Sequence, residues 1–247
     1  TIGTSGVVFT PMDQPQVDLL GRVHTFCHAI PGKWAMMSCT LAAGLSLRWF
    51  RDHFCEMERT LAAEQGIDVY DLINHRVSQV PPGAEGLVFL PYLMGERSPL
   101  LNENVRGGFL GTSLSHGKDA FMRAVMEGVS YSQRQCLDVL HTLGVYPKQM
   151  VLCGGGSRSA VWRQMMADIY GLPVTRACST QESAGLGAAI LAGVGIGMYS
   201  SVAEACSQVI SLENETKPKE ENRTVYEKCY RRYCAASELL LQLEENK

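Results

Sequence analysis

Two glycine-bracketed turns carry the residue types best suited to chemistry in this 247-residue sequence. The first is Gly3-Thr4-Ser5-Gly6, flanked by Thr1-Ile2 and by Val7-Val8-Phe9-Thr10. β-Branched residues on both sides of a turn-forming core predict a β-hairpin. A tight turn of this kind offers backbone N–H groups and two hydroxyls, a donor set that phosphate oxygens accept from. The plainer reading is a hairpin whose glycines satisfy backbone geometry alone. The second turn is Gly154-Gly155-Gly156-Ser157, between the apolar run Met150-Val151-Leu152-Cys153 and a helical stripe of Trp162, Met165, Met166 and Ile169. A strand, a glycine turn and a helix in succession put backbone donors and the positive end of a helix dipole at one point, which suits an anion or a nucleotide edge. Placement alone leaves a purely structural turn open.

Other motifs are weaker or excluded. Gly185-Leu186-Gly187 opens like a dinucleotide fingerprint, but Ile190 stands where the third glycine is required and no strand precedes it. Helix packing through small residues is the better reading there. A P-loop fails at its best candidate, because Gly117-Lys118 is followed by Asp119 and Thr112 replaces the first glycine. Neither His-Glu-x-x-His nor Gly-x-Ser-x-Gly occurs, and the six histidines lack zinc-ligand spacing. Glu96-Arg97-Ser98-Pro99 either presents a charge pair to a ligand or neighbouring lobe, or forms an exposed structural ion pair. Trp34, Trp49 and Trp162 read as packing anchors.

The elements that must position these turns follow from periodicity. Strands are predicted at Lys33 to Thr40, Leu87 to Leu90, Met150 to Cys153 and Pro173 to Arg176. Helices are predicted at Leu41 to Phe54, largely buried, and at Asp68 to Ser78, Asp119 to His141, Glu182 to Gly193 and Asn222 to Leu243. Pro91 to Arg106 reads as a long loop and the charged, proline-broken stretch Leu212 to Glu221 as a surface loop. Strands alternating with helices in the second half indicate an α/β layered domain with a mixed sheet flanked by helices.

Composition agrees with an ordinary globular chain: 46% apolar and 19% charged residues. A formal charge of -3 and a pI near 6.1 provide no basic field, so nucleic acid is not an expected partner. No apolar run reaches the roughly 20 residues that span a bilayer, so no membrane partner is expected either. The nine scattered cysteines lack any Cys-x-x-Cys pair and predict reduced thiols and a cytoplasmic location.

Several segments in fixed order resemble the C-terminal half of the FGGY carbohydrate kinases, most closely the xylulokinase branch. They are Ile2-Gly3-Thr4-Ser5-Gly6-Val7, Ala43-Gly44-Leu45-Ser46-Leu47-Arg48-Trp49 and Phe89-Leu90-Pro91-Tyr92-Leu93-Met94-Gly95-Glu96-Arg97-Ser98-Pro99. The likeness continues through Arg106 to Gly111, Arg123 to Gly128, Gly154 to Ser159 with Trp162-Arg163-Gln164, and Leu186 to Ala189, fading near Tyr199. Ala120 and Thr112 depart from the family pattern at peripheral positions.

The resemblance implies an actin-like, ribonuclease H-like fold in which two lobes enclose ATP and a sugar. Residues 1–247 then form a single C-terminal nucleotide-binding lobe, with the sugar-binding lobe lying outside it. By motif, Thr4 with the Gly3 and Ser5 backbone faces the transferring phosphates and Gly44 lets the polyphosphate approach its helix. Gly154, Gly155 and Gly156 with Ser159 border the adenosine. ATP or ADP and Mg2+ are the implied cofactors, with magnesium ligands and the catalytic aspartate mostly outside the chain, which is therefore expected to be inactive alone. The implied reaction moves the ATP γ-phosphoryl group to D-xylulose; ribulose, gluconate or fucose are alternatives, as is a non-catalytic actin-like ATP-binding module. A lobe separated from its neighbour exposes apolar surface, from which a homodimer is expected.

Overall fold

A computed structural model describes residues 1–178 and 183–245. The predicted hairpin forms. Ile2 and Gly6 make an antiparallel bridge, and the Val7 N–H donates to Thr1 O at 3.1 Å. Its second arm runs on as β1 (Gly6–Met12), followed by β2 (His24–Cys27) and β3 (Trp34–Thr40). These make an antiparallel sheet in the order β1-β3-β2.

Helix α1 (Gly44–Phe54) starts later than its apolar pattern suggests, because the backbone just before it is spent on the hairpin. The expectation that it is largely buried holds for one face only: Ser46, Leu47 and Phe50 are buried, whereas Arg48 and Phe54 are exposed. Then come α2 (Glu56–Gln65) and α3 (Val69–Ser78), the latter capped by Asp68, whose carboxylate accepts the Tyr70 N–H at 2.9 Å. Fully buried β4 (Val88–Leu90) pairs with β5 (Gly108–Leu110) across the long loop expected there.

The central element is α4 (Lys118–Thr142), which packs against α1, β4 and the later helix α5 (Ala160–Tyr170). Between them, β6 (Met150–Leu152) leads into the glycine turn; beyond them, β7 (Val174–Ala177) pairs parallel to β6. Helices α6 (Ser183–Gly195) and α7 (Val202–Val209) follow. The expected helix start at Glu182 lies outside the described residues.

Two expectations are corrected. The stretch read as a surface loop contains β8 (Leu212–Thr216), an exposed edge strand antiparallel to β7; its polar composition reflects solvent on its free side. A Cβ added at Gly185 or Gly187 would meet nothing within 4 Å, so close packing does not explain these glycines. It does explain Gly193, where a Cβ would lie 2.9 Å from the Tyr199 ring.

The final helix α8 (Glu220–Glu245) places Tyr226, Tyr230 and Tyr233 inside. One core joins Ile2, Phe50, Phe89, Met126, Trp162 and Tyr226; a smaller one holds Val8, Met36 and Leu140. All nine cysteines are free thiols. Among the described residues no helix is long and apolar enough to cross a membrane.

Candidate functional site

The two glycine turns, some 150 residues apart in sequence, meet in space. The Ile2 N–H donates to Cys153 O at 2.9 Å, and the Gly156 N–H donates to Ile2 O at 3.1 Å. The first residues of the chain therefore run beside β6 and the turn that leaves it. A Cβ on Gly154 would lie 2.5 Å from Ile2 O, and Gly154 itself adopts φ 86°, so only glycine suits this crossing. Gly155, by contrast, has nothing within 4 Å of where its Cβ would be. It faces open space.

That space is a cleft of about 420 Å3. Ile2, Gly3 and Thr4 form one wall and Gly155, Gly156, Arg158 and Ser159 another. Gly44, Leu45, Leu47 and Arg48 line it from α1, and Asp68, Tyr70, Asp71 and Asn74 from the start of α3. Of the residues singled out in the sequence, Gly3, Thr4, Gly44, Gly155, Gly156 and Ser159 line the cleft directly. Ser5 and Gly154 are their chain neighbours.

Gly44 acquires a definite physical reason. Its N–H donates to Gly3 O at 2.7 Å, and the Ala43 and Leu45 N–H groups both donate to Thr4 O, at 3.0 and 3.2 Å. The hairpin carbonyls thus satisfy orphan donors of the α1 N-terminus. What Gly44 admits is the Gly3 carbonyl, 2.5 Å from the position of a Cβ.

Ser159 does two jobs. Its Oγ accepts the Trp162 N–H at 3.1 Å, capping α5, and donates to Asn74 Oδ1 at 2.7 Å, which ties α5 to α3 across the floor of the cleft. Arg48, Asp68, Tyr70, Asp71, Asn74 and Arg158 escaped the sequence reading.

Glu96 and Arg97 part company. Glu96 is 2% exposed, and its Oε1 accepts the Leu41 N–H and the Arg97 N–H, both at 2.8 Å. The Arg97 guanidinium instead reaches His24 Nε2 at 2.7 Å. The exposed ion pair considered from the sequence does not form, nor does a charge pair face the cleft. Burial pushes the Glu96 carboxyl up to about 7, against the two N–H donors that pull it down. A carboxyl whose folded pKa lies above its unfolded value holds a proton that the unfolded chain has released. Stability from this residue is therefore lost as pH rises from about 4.5 to 7. Denaturant unfolding should show Glu96→Gln flattening this dependence, by up to roughly 3 kcal/mol between pH 5 and 8. An unchanged slope would place the titration elsewhere.

The sequence profile described as "FGGY family of carbohydrate kinases, C-terminal domain" matches residues 1–196. The chain belongs to the FGGY carbohydrate kinases. It is 39% identical over 234 residues to a gluconokinase of Bacillus subtilis, covering 92% of this chain and 44% of the relative. It is 34% identical over 243 residues to a xylulose kinase of Staphylococcus epidermidis, covering 98% and 47%. Among solved structures, xylulose kinase from Rhodospirillum rubrum superposes with a TM-score of 0.83 at 30% identity, over 98% of this chain and 46% of that one. Gluconate kinase from Lactobacillus acidophilus gives 0.84 at 26%, over 97% and 46%. The chain spans about half the length of the curated relatives it matches. Its architecture is that of the FGGY kinases, the actin-like fold that the resemblance implied.

Proposed function

We propose that this chain is the nucleotide-binding lobe of an ATP-dependent sugar kinase and that the cleft between the Thr4 and Gly155 turns holds ATP or ADP. The observation that carries this reading is the convergence of both turns, the α1 N-terminus and the start of α3 on one 420 Å3 cleft. Thr4 stands exposed at the hairpin tip. Its hydroxyl, with the Thr4 and Ser5 amides, would meet the terminal phosphates, as the Gly3 N–H is already engaged with Ser5 O at 3.1 Å. Gly155, Gly156 and Ser159, opposite Asn74 and Tyr70, would flank the nucleoside.

Magnesium fits as a companion of the phosphates. Among the described residues no group of three His, Cys, Asp or Glu stands together. Mg2+ commonly keeps several waters and is held through substrate phosphates with one or two carboxylates, so it needs no cage from this lobe. Bound there, it would neutralise charge on the transferring phosphoryl group.

The acceptor is D-xylulose on the resemblance of the Tyr92 to Pro99 segment, and gluconate on the 39% identity to a gluconokinase. Within that segment Tyr92 is fully buried against Tyr233 and Ser237, at 2.9 and 2.8 Å, and Glu96 is interior, whereas Met94 and Arg97 are exposed. Phosphorylation of a sugar panel by the protein joined to its sugar-binding lobe decides between the two.

The cleft itself is tested on this chain. Calorimetric titration with Mg-ADP should give measurable binding, and Gly155→Trp should abolish it with little change in melting temperature, since nothing stands within 4 Å of where its Cβ would be. A Gly155→Trp chain that binds ADP as well as the parent would sink this assignment.

A further inference from the structure

Arg163, in the first turn of α5, is 7% exposed yet has no acidic partner within ion-pair distance among the described residues. Glu213, whose charge favours its ionised form, is already engaged with Arg176 at 3.3 Å. The Arg163 guanidinium is spent on backbone: Nη1 donates to Ser157 O at 2.6 Å and to Arg158 O at 3.0 Å, while Nε has no partner. Burying an unpaired cation is costly, so its interior position calls for a reason.

The two carbonyls it grips close the glycine turn. Elsewhere that turn is held by the Gly156 N–H to Ile2 O, by the Ser157 N–H and Oγ, both to Gly154 O, and by the Ser159 N–H to Gly156 O; none of these bonds reaches the Ser157 or Arg158 carbonyl. Three glycines in succession give it little stiffness of its own. Peptide planarity means that fixing the Ser157 and Arg158 carbonyls also fixes the directions of the Arg158 and Ser159 N–H groups. Both residues line the wall of the cleft.

We propose that Arg163 is a positioning residue of the nucleotide cleft, bracing from beneath the turn that carries Gly155, Gly156 and Ser159. The proposal rests on reading the cleft as a nucleotide site. It assigns Arg163 no contact with the ligand: the guanidinium acts through the backbone it holds.

Arg163→Met removes both donors, Arg163→Gln keeps a donor without the charge, and Leu140→Ala destabilises the separate small core as a control. Amide hydrogen exchange is read at Gly156 and Ser157, with the Met150 N–H, bonded to Pro173 O, as reference. Protection at the turn should fall about tenfold in Arg163→Met, the equivalent of one lost charge-assisted hydrogen bond. Arg163→Gln should recover most of it, and the reference amide should hold. Titration with ADP and with adenosine should show both weakened by a similar factor of about ten in Arg163→Met and nearly unchanged in Leu140→Ala. Unchanged protection at the turn overturns the proposal. So does weakened ADP binding with intact adenosine binding, which would mark a charge effect on phosphate, and so does equal loss in Leu140→Ala. If the parent chain binds neither ligand, the functional reading falls, while the exchange data still decide the brace.

Discussion

Gly44→Ala should destabilise the chain by about 2 kcal/mol and lower its affinity for Mg-ADP at least about tenfold. Two effects oppose each other. Alanine is the better helix former, by up to about 1 kcal/mol in a helix interior. At the first helical position that gain is smaller. Against it stands a Cβ 2.5 Å from Gly3 O, a distance that real Cβ atoms essentially never show. The obstacle is backbone, so no rotamer change relieves it. Either α1 or the hairpin must retreat, which stretches the bonds from Ala43, Gly44 and Leu45 to the Gly3 and Thr4 carbonyls. The displaced part is the tip that bears Thr4. Gly155→Trp offers the contrast, a far larger side chain whose Cβ has nothing within 4 Å. Stability and binding should thus separate, with Gly44→Ala losing both and Gly155→Trp losing binding alone. A Gly44→Ala chain that melts and binds like the parent would show that the helix and hairpin do not touch as described.

The sequence made visible whatever is encoded locally. The hairpin at Thr4, the strand-glycine-helix unit at Gly155 and the stripes of α4 and α8 all arise from neighbours within a few turns of chain. Contacts set by the rest of the fold left little trace. Asn74 reaches Ser159 across 85 residues, and no pattern near either predicts the pair. The strand β8 bears Glu213 and Glu215 and reads as a loop, because pairing with β7 along one edge requires no apolar face. Helix α2 escaped notice for a similar reason: it buries only Glu58 and Ala62. Glu96 shows the reverse error. Beside Arg97 it looks like half of an ion pair, and only the placement of Leu41 reveals that its partners are backbone amides. Glycine is ambiguous in the same way. Gly44, Gly154 and Gly155 look alike in sequence, yet the first admits the Gly3 carbonyl, the second admits the Ile2 carbonyl while turning the chain, and the third faces open space.

Arg123→Ala should cost more than any substitution in the cleft, about 3 to 5 kcal/mol. Arg123 and Glu127 form an ion pair at 2.7 Å on α4, with side chains 7% and 1% exposed. The guanidinium also donates to Val77 O at 3.2 Å, Val80 O at 2.8 Å and Tyr226 Oη at 2.8 Å, joining the end of α3 to α8 through α4. Glu127 Oε1 further accepts the Gly83 N–H at 3.0 Å and the Tyr226 hydroxyl at 3.1 Å. Removing Arg123 takes the donor from Val80 O, leaves Val77 O with the Val80 N–H at 3.2 Å, and strips a fully buried carboxylate of its countercharge. Burial already pushes the Glu127 carboxyl up, with Arg123 as the main opposing influence, so the variant should bind a proton there more readily. The sign follows: with the folded pKa raised above the unfolded one, stability is lost as pH rises through that range, so the deficit should be larger at pH 8 than at pH 5. Since 1 kcal/mol shifts the melting temperature of a domain this size by about 2–4 °C, the drop near neutrality should be roughly 6–20 °C. Replacing both partners, as Arg123→Met with Glu127→Leu, should recover much of the loss, because the damage comes from an unpaired buried charge more than from a missing attraction. A double variant as unstable as Arg123→Ala, with no pH dependence in either, would mean that the bonds to Val77 and Val80 set the cost.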